Sequence, residues 1–140
     1  MESICTHFER HGFGLWAVEV IGGAPFIGFI GLAVPSFNAP FMPCVELGYR
    51  LAFDHWGHGY ATEGARAALA FGFTTVGLAE VVAMTATGNE RSRRVMERLG
   101  MTRNPMDDFN HPNIALGHRL CRHVLYRLTS DEWGCRNRNS

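Results

Sequence analysis

A chain of 140 residues with 46% hydrophobic and 19% charged residues has the size and composition of one folded domain with its own core. Its 13 basic and 13 acidic residues leave a formal charge of zero, which gives no global field to attract nucleic acid or a membrane surface. No apolar run is long enough to span a bilayer and no signal-peptide pattern opens the chain, so a cytoplasmic protein with reduced thiols is expected.

The segment Glu2 to Glu9 reads as the end of a helix, with Ile4, Cys5 and Phe8 on one side. Phe13 to Val20 alternates as a strand. Ile21-Gly22-Gly23-Ala24-Pro25 is a turn into a second strand, Phe26 to Val34, so an antiparallel hairpin is expected. Gly28 and Gly31 within that strand suggest a bulge or a close backbone approach. Pro35 to Pro43 is a loop. Val45 to Phe53 is a strand whose residues Val45, Leu47, Tyr49 and Leu51 share one face and Glu46, Gly48 and Arg50 the other.

A helix follows from Thr62 to Phe73, with Ala61, Ala65, Ala68, Leu69 and Gly72 on a stripe of small residues suited to close packing on a sheet. Glu80 to Ala86 is a Val-rich strand. Asn89 caps a short helix whose Val95, Met96 and Leu99 face inward, and Gly100 stops it. The arginines Arg91, Arg93, Arg94 and Arg98 form its solvated face. Thr102 to Leu120 reads mostly as loop, Cys121 to Leu128 as a last strand, and residues 131–140 as a polar tail that frays after a single domain over 1–130. An antiparallel front half joined to a β-α-β back half implies an α/β (α+β) fold, a mixed sheet with helices on both faces.

No metal site is expected. Cys5, Cys44, Cys121 and Cys135 form no CxxC pair, and the histidines are scattered, with His7 and His11 an i,i+4 surface pair. The chemistry instead points to Trp56-Gly57-His58-Gly59-Tyr60-Ala61-Thr62-Glu63, where a strand turns into a helix through residues with little side chain. Backbone N–H groups and the helix dipole there suit an anion, so a phosphate-bearing ligand is the first expectation.

Three blocks stand in order: Glu46-Leu47-Gly48-Tyr49-Arg50-Leu51, the glycine loop, and Asn89 through Met101 with Arg93-Arg94-Val95-Met96-Glu97-Arg98-Leu99-Gly100. Together they resemble the GCN5-related N-acetyltransferase (GNAT) superfamily, in the branch of the ribosomal-protein N-terminal acetyltransferases, over essentially residues 1 to 130. The resemblance implies a mixed, mostly antiparallel sheet and acetyl-CoA as co-substrate. It implies a pyrophosphate seat on the family's Q/R-x-x-G-x-G/A loop, whose positions here are Trp56, Gly59 and Ala61, with Gly57, His58, Tyr60 and Thr62 completing it. The first position departs from Gln or Arg, while the backbone donors remain. The pantetheine arm would pair with Leu47 to Leu51 by strand addition, and Asn89 would contact the cofactor arm as well as cap its helix.

The reaction implied is attack of a neutral primary amine on a thioester, direct from acetyl-CoA to a protein N-terminus or a small molecule. Glu46 is the candidate general base, its alternative being a structural carboxylate paired with Arg50. Met96 stands where many members carry a proton-donating Tyr, so Ser92 is the candidate partner of the departing thiolate, with a capping hydroxyl as its other reading. Tyr126 is a weaker donor candidate. His111 and Asp107 sit in the loop resembling the acceptor side, where they bind an amine or form turns.

Relatives usually open with a strand and a helix that this chain does not show. The expectation is a more open acceptor side and an exposed sheet edge, which raises the hypothesis of a homodimer covering it. Two competing readings are weighed, of which the second is discounted. One is a CoA-binding module with little transfer. The other is a dinucleotide-binding oxidoreductase, prompted by Gly57-x-Gly59 and Glu80 but opposed by Thr62, where its fingerprint needs Gly or Ala.

Overall fold

A computed structural model describes residues 14–18, 28–35, 39, 41, 42, 44–51 and 59–138, with backbone alone at 15–18, 50, 51 and 135–138. The expected helix Glu2 to Glu9, the turn at 21–25, and Trp56, Gly57 and His58 lie outside the described residues. The chain forms two compact units, 1–33 with 47–78, and 34–46 with 79–140.

In the first unit, β1 (Leu15–Val18) pairs antiparallel with β2 (Gly28–Ala33), from Leu15↔Gly31 to Val18↔Gly28. The neighbour of β2 on its other side is β3 (Glu46–Leu51), of which Leu47 to Leu51 belong to this unit. Helix α1 (Tyr60–Ala70) packs on β2 and buries Ala65, Ala68 and Leu69, three members of the expected small-residue stripe. The close approach requires the small residues. A Cβ at Gly64 would lie 2.5 Å from Ile30 Cδ1, and one at Gly72 would lie 2.8 Å from Leu32 Cδ1. The helix widens into a π-helical turn, Phe71–Val76, and ends at Gly77, whose φ of 80° is in the left-handed region that glycine tolerates best.

In the second unit, β4 (Glu80–Ala86) and β7 (Arg122–Thr129) form an antiparallel pair from Glu80↔Thr129 to Ala86↔His123. Two short strands, β5 (Thr102–Arg103) and β6 (Phe109–Asn110), also pair with β7, at Thr102↔Arg127 and Phe109↔His123. These replace part of the loop expected between Thr102 and Leu120. On its other side β4 takes a parallel partner at Glu46↔Val82, with the Val82 N–H donating to the Val45 carbonyl at 2.9 Å. Parallel and antiparallel pairs around one strand make the sheet mixed.

Helix α2 (Glu90–Arg98) forms where its local signals put it. The Asn89 side-chain oxygen accepts from the Ser92 N–H at 3.2 Å, and Val95, Met96 and Leu99 are buried. Gly100 (φ 85°) terminates it, with Gly100 N–H on Glu97 O and Met101 N–H on Met96 O, the paired bonds of a Schellman stop.

The polar segment expected to fray is a helix instead, α3 (Ser130–Arg138). Thr129 Oγ1 accepts from the Glu132 N–H at 3.2 Å while Glu132 Oε1 accepts from the Thr129 N–H at 3.0 Å. That reciprocal pair is a capping box, and it satisfies two amide donors that a frayed end would leave to water.

Candidate functional site

Residues facing one another across paired strands point to the same side of a sheet. The register Glu46↔Val82↔Arg127 therefore sets Glu46 and Arg127 on one face, two strand spacings apart. Val82 packs there with Phe109 and Leu125 in a buried cluster, bordered by Phe41, Cys44 and Met84. Glu46 is the carboxylate at the rim of this apolar cluster. Burial pushes its carboxyl up from the ordinary 4.5 to about 7, because ionisation forfeits hydration that the cluster does not replace. The Arg50 side chain, the alternative partner for Glu46, lies outside the described residues.

Arg127 is held from two sides. Its NH1 donates to Glu80 Oε1 at 2.9 Å and its Nε to Asp107 Oδ2 at 3.2 Å. Asp107 comes from a single 3-10 turn, Pro105–Asp107, which Asn104 caps through the Met106 N–H at 3.0 Å. The neighbouring Asp108 is claimed by Arg103, whose Nε reaches Oδ1 at 3.1 Å and whose NH2 reaches Oδ2, and this hydrogen bonding holds the Asp108 carboxyl below its usual range. Phe41, Met106, Asp107, Asp108, Phe109 and Arg127 line a cavity of about 150 Å³. Phe41 and Phe109 meet edge to face, with centroids 4.9 Å apart.

Cys44 packs against the Val82 cluster and feels the charges of both Glu46 and Arg127. Burial pushes its thiol up to about 11, the Glu46 charge adds to the rise, and Arg127 opposes it. Its sulfur donates to Met42 Sδ at 3.6 Å. A thiol held protonated in this way is a poor nucleophile, because the thiolate is the attacking form.

The opposite face of β7 carries Tyr126, opposed to Ala83 rather than Val82. Its hydroxyl donates to Glu97 Oε2 at 3.0 Å and accepts from Arg93 Nε at 3.3 Å, while Arg93 NH1 also donates to the Thr87 carbonyl at 3.0 Å. Only 2% exposed, Tyr126 ties α2 to the sheet. Asn89 caps α2, and Ser92 sits half-buried in its first turn.

His111 is turned into its own loop. Its Nδ1 accepts from the Asn113 N–H at 3.1 Å, and its ring lies 5.0 Å from His123, with burial and that neighbour both lowering its pKa. Asp107 reaches the cavity; His111 is not among its lining residues.

The expected cofactor residues of β3 and α1 belong to the first unit. Leu47 is 2% exposed, and Gly48 and Tyr49 are half-buried. Gly59 is the N-cap of α1 with φ 77° and ψ 5°, and among the described residues no side chain caps that end. The first intrahelical bond there is Glu63 N–H to Gly59 O at 3.0 Å, so the amides of Tyr60, Ala61 and Thr62 precede it. An uncapped helix start beginning on a left-handed glycine fits a phosphate group bound by backbone. Sequence reasoning gave no site role to Arg127, Cys44, Phe41 or Phe109, and weighed Glu80 only for the dinucleotide reading. The one signal for Arg127 was a charge set between Tyr126 and Leu128 in the inner stretch of the last strand.

Among the described residues no cluster of three or more His, Cys, Asp or Glu side chains could hold a metal, and no helix is long and apolar enough to cross a membrane. The mixed sheet, the glycine start of α1 and the Asn-capped α2 are features that the sequence resemblance implied. The Acetyltransferase (GNAT) domain family matches residues 1–102, and the chain belongs to that family.

Among its relatives, the FsC-acetyl coenzyme A-N(2)-transacetylase of Aspergillus fumigatus is 37% identical over 131 residues, covering 87% of this chain and 52% of that protein. The chain spans about half the length of the curated relatives it matches. An acetyltransferase from Agrobacterium tumefaciens superposes with a TM-score of 0.67 at 27% identity, over 89% of this chain and 66% of that one. Mycobacterium smegmatis RimJ in complex with CoA-disulfide has the same fold, with a TM-score of 0.68 at 24% identity, over 89% of this chain and 57% of that one.

Proposed function

We propose that this chain transfers an acetyl group from acetyl-CoA directly to a primary amine, with Glu46 as general base. The observation that carries this reading is the Glu46 carboxyl, which burial alone pushes up to about 7 at the point where β3 meets β4. A base with its pKa near the working pH combines a useful ionised fraction with enough proton affinity to accept from an ammonium group. The demand is real: an amine with pKa near ~10.4 costs roughly 4.6 kcal/mol to deprotonate at pH 7, against about 1.4 kcal/mol for an α-amine near ~8.

Acetyl-CoA supplies an activated thioester carbonyl. The amides of Tyr60, Ala61 and Thr62 behind Gly59 would hold its pyrophosphate, with Trp56, Gly57 and His58 completing that loop. Leu47, Gly48, Tyr49, Arg50 and Leu51 would hold its amide-bearing arm, and the Asn89 amide NH2 would donate to it while Oδ1 caps α2. Ser92 is assigned the hydrogen bond to the leaving sulfur. Cys44, held protonated by burial and by the Glu46 charge, is unsuited to carry an acetyl group, which favours direct transfer over a covalent acyl-cysteine route.

The test is thiol release from acetyl-CoA with a panel of amines. Glu46→Gln should lower kcat by about 10²–10⁴-fold, leave the thermal shift with CoA in place, and remove the rise in rate through pH 7. An unchanged rate and pH profile would end the assignment of Glu46. A thermal shift with acetyl-CoA but no thiol release from any amine would make the chain a CoA-binding module.

A further inference from the structure

The arginines of α2 do not all face solvent. Arg93 is half-buried and its guanidinium is used within the fold. Its NH1 donates to the Thr87 carbonyl at 3.0 Å, and its Nε donates to the Tyr126 hydroxyl at 3.3 Å, which itself donates to Glu97 Oε2 at 3.0 Å. Tyr126 is buried in β7, so one end of the guanidinium is anchored on the sheet. The group is planar, and fixing Nε therefore sets the direction of NH1, which a lysine ammonium on a flexible stem would leave open.

The carbonyl that NH1 meets belongs to the turn between β4 and α2. Asn89 N–H donates to Ala86 O at 2.9 Å and closes a β-turn with Thr87 and Gly88 at its centre. The Thr87 N–H and Oγ1 both donate to the Arg122 carbonyl, at 2.9 and 3.0 Å, so β7 holds the first half of the turn. The Thr87–Gly88 peptide is the part left able to rotate. The two common turn types differ by a flip of this central peptide, and the flipped form needs a positive φ at the second central residue, which glycine grants at little cost. Gly88 is not among the described glycines with positive φ, so the turn stands unflipped with the Thr87 carbonyl on Arg93. A flip would carry that carbonyl away from NH1 and break the bond.

We propose that Arg93 is a positioning residue: by holding the Thr87 carbonyl it keeps the β4–α2 turn in one state and so presents Asn89 to the cofactor arm. The inference rests on the reading of this chain as an acetyl-CoA enzyme in which the Asn89 amide NH2 donates to that arm. The bond from the Ser92 N–H, at 3.2 Å, fixes Asn89 Oδ1, and the turn fixes the backbone that carries it. A site that is present for only a fraction of the time binds with its affinity cut to that fraction. A turn divided between two states therefore costs cofactor affinity and leaves the chemical step alone.

Calorimetry with CoA and thiol release from acetyl-CoA test this together. Arg93→Met should weaken CoA binding and raise KM for acetyl-CoA by roughly tenfold, within the coupling range of residues in one hydrogen-bonded network, with kcat and the KM for the amine near their parent values. Gly88→Ala adds a Cβ that meets nothing within 4 Å and disfavours the flipped turn, so it should return most of the lost affinity to Arg93→Met. In an Asn89→Ala background, Arg93→Met should have little further effect on CoA. A residue that only stabilises the fold gives neither the rescue nor the loss of additivity. Unchanged CoA affinity in Arg93→Met, a loss that Gly88→Ala does not restore, or a full further loss on top of Asn89→Ala overturns the proposal. Arg93→Lys, paired with the same Gly88→Ala, carries the test where Arg93→Met does not fold. The expected pattern in CoA affinity without thiol release from any amine removes the transfer reaction and keeps the positioning role. Thiol release with CoA affinity indifferent to Arg93 removes the positioning role alone, and no CoA binding by the parent removes both.

Discussion

Glu46 makes a stability prediction that is independent of any substrate. Burial raises its carboxyl from 4.5 to about 7, so the native chain holds this proton over a pH range in which the unfolded chain has released it. Below about pH 4.5 both states carry the proton and the linkage contributes nothing. Between 4.5 and 7 only the native state binds it, so stability falls as pH rises, and above about 7 the loss is complete. At 1.36 kcal/mol per tenfold change in proton affinity, the full effect is about 3 kcal/mol.

Glutamine has the shape of the protonated side chain and does not titrate. Glu46→Gln should therefore match the parent stability near pH 4.5 and exceed it by up to about 3 kcal/mol above pH 7.5. Urea unfolding of both chains across this range measures the difference directly, and contributions from other titrating groups, such as His111, cancel in it. A difference that stays flat with pH would show that the native carboxyl titrates normally, and would remove the physical basis for Glu46 as a base tuned to neutral pH.

Two further outcomes follow from particular contacts. Gly59→Ala adds a Cβ that meets nothing within 4 Å, so its effect is confined to the left-handed backbone at φ 77°, a cost of about 1–2 kcal/mol that a urea melt would detect. If the start of α1 is the pyrophosphate seat, the same variant also reduces the thermal shift given by CoA; an undiminished shift would place the seat elsewhere. Tyr126→Phe removes a donor from Glu97 and an acceptor from Arg93, and should cost about 1.5 kcal/mol of stability with kcat unchanged, because the hydroxyl lies on the α2 side of the sheet. A loss of kcat with normal stability would return Tyr126 to the list of proton donors.

Elements whose causes are local were legible in the residues. Asn89, the inward trio Val95, Met96 and Leu99, and Gly100 specify α2 within a dozen positions, and its cap and stop form there. The small-residue stripe of α1 likewise announced close packing, and Gly64 and Gly72 show how close it is. Helix α3 was legible in principle, since Thr129-Ser130-Asp131-Glu132 has capping-box spacing, but its polar composition reads as a tail when apolar periodicity is the guide.

The candidate site divides in the same way. Glycines before a helix suggested a seat for an anion from residue type and order, while acetyl-CoA and Glu46 as the candidate base were added by the resemblance to the family. The charge state of Glu46, the division of Arg127 between Glu80, which is 47 positions away, and Asp107, and the cavity between two phenylalanines all arise from strand register. Register brings together residues far apart in the chain, and burial then sets their proton affinities. The sequence by itself determined the helix ends, the strand alternation and the kind of ligand the glycine loop suits. Only the tertiary structure decided which side chains share a face with Glu46, because desolvation and charge pairing depend on distance in space and not along the chain.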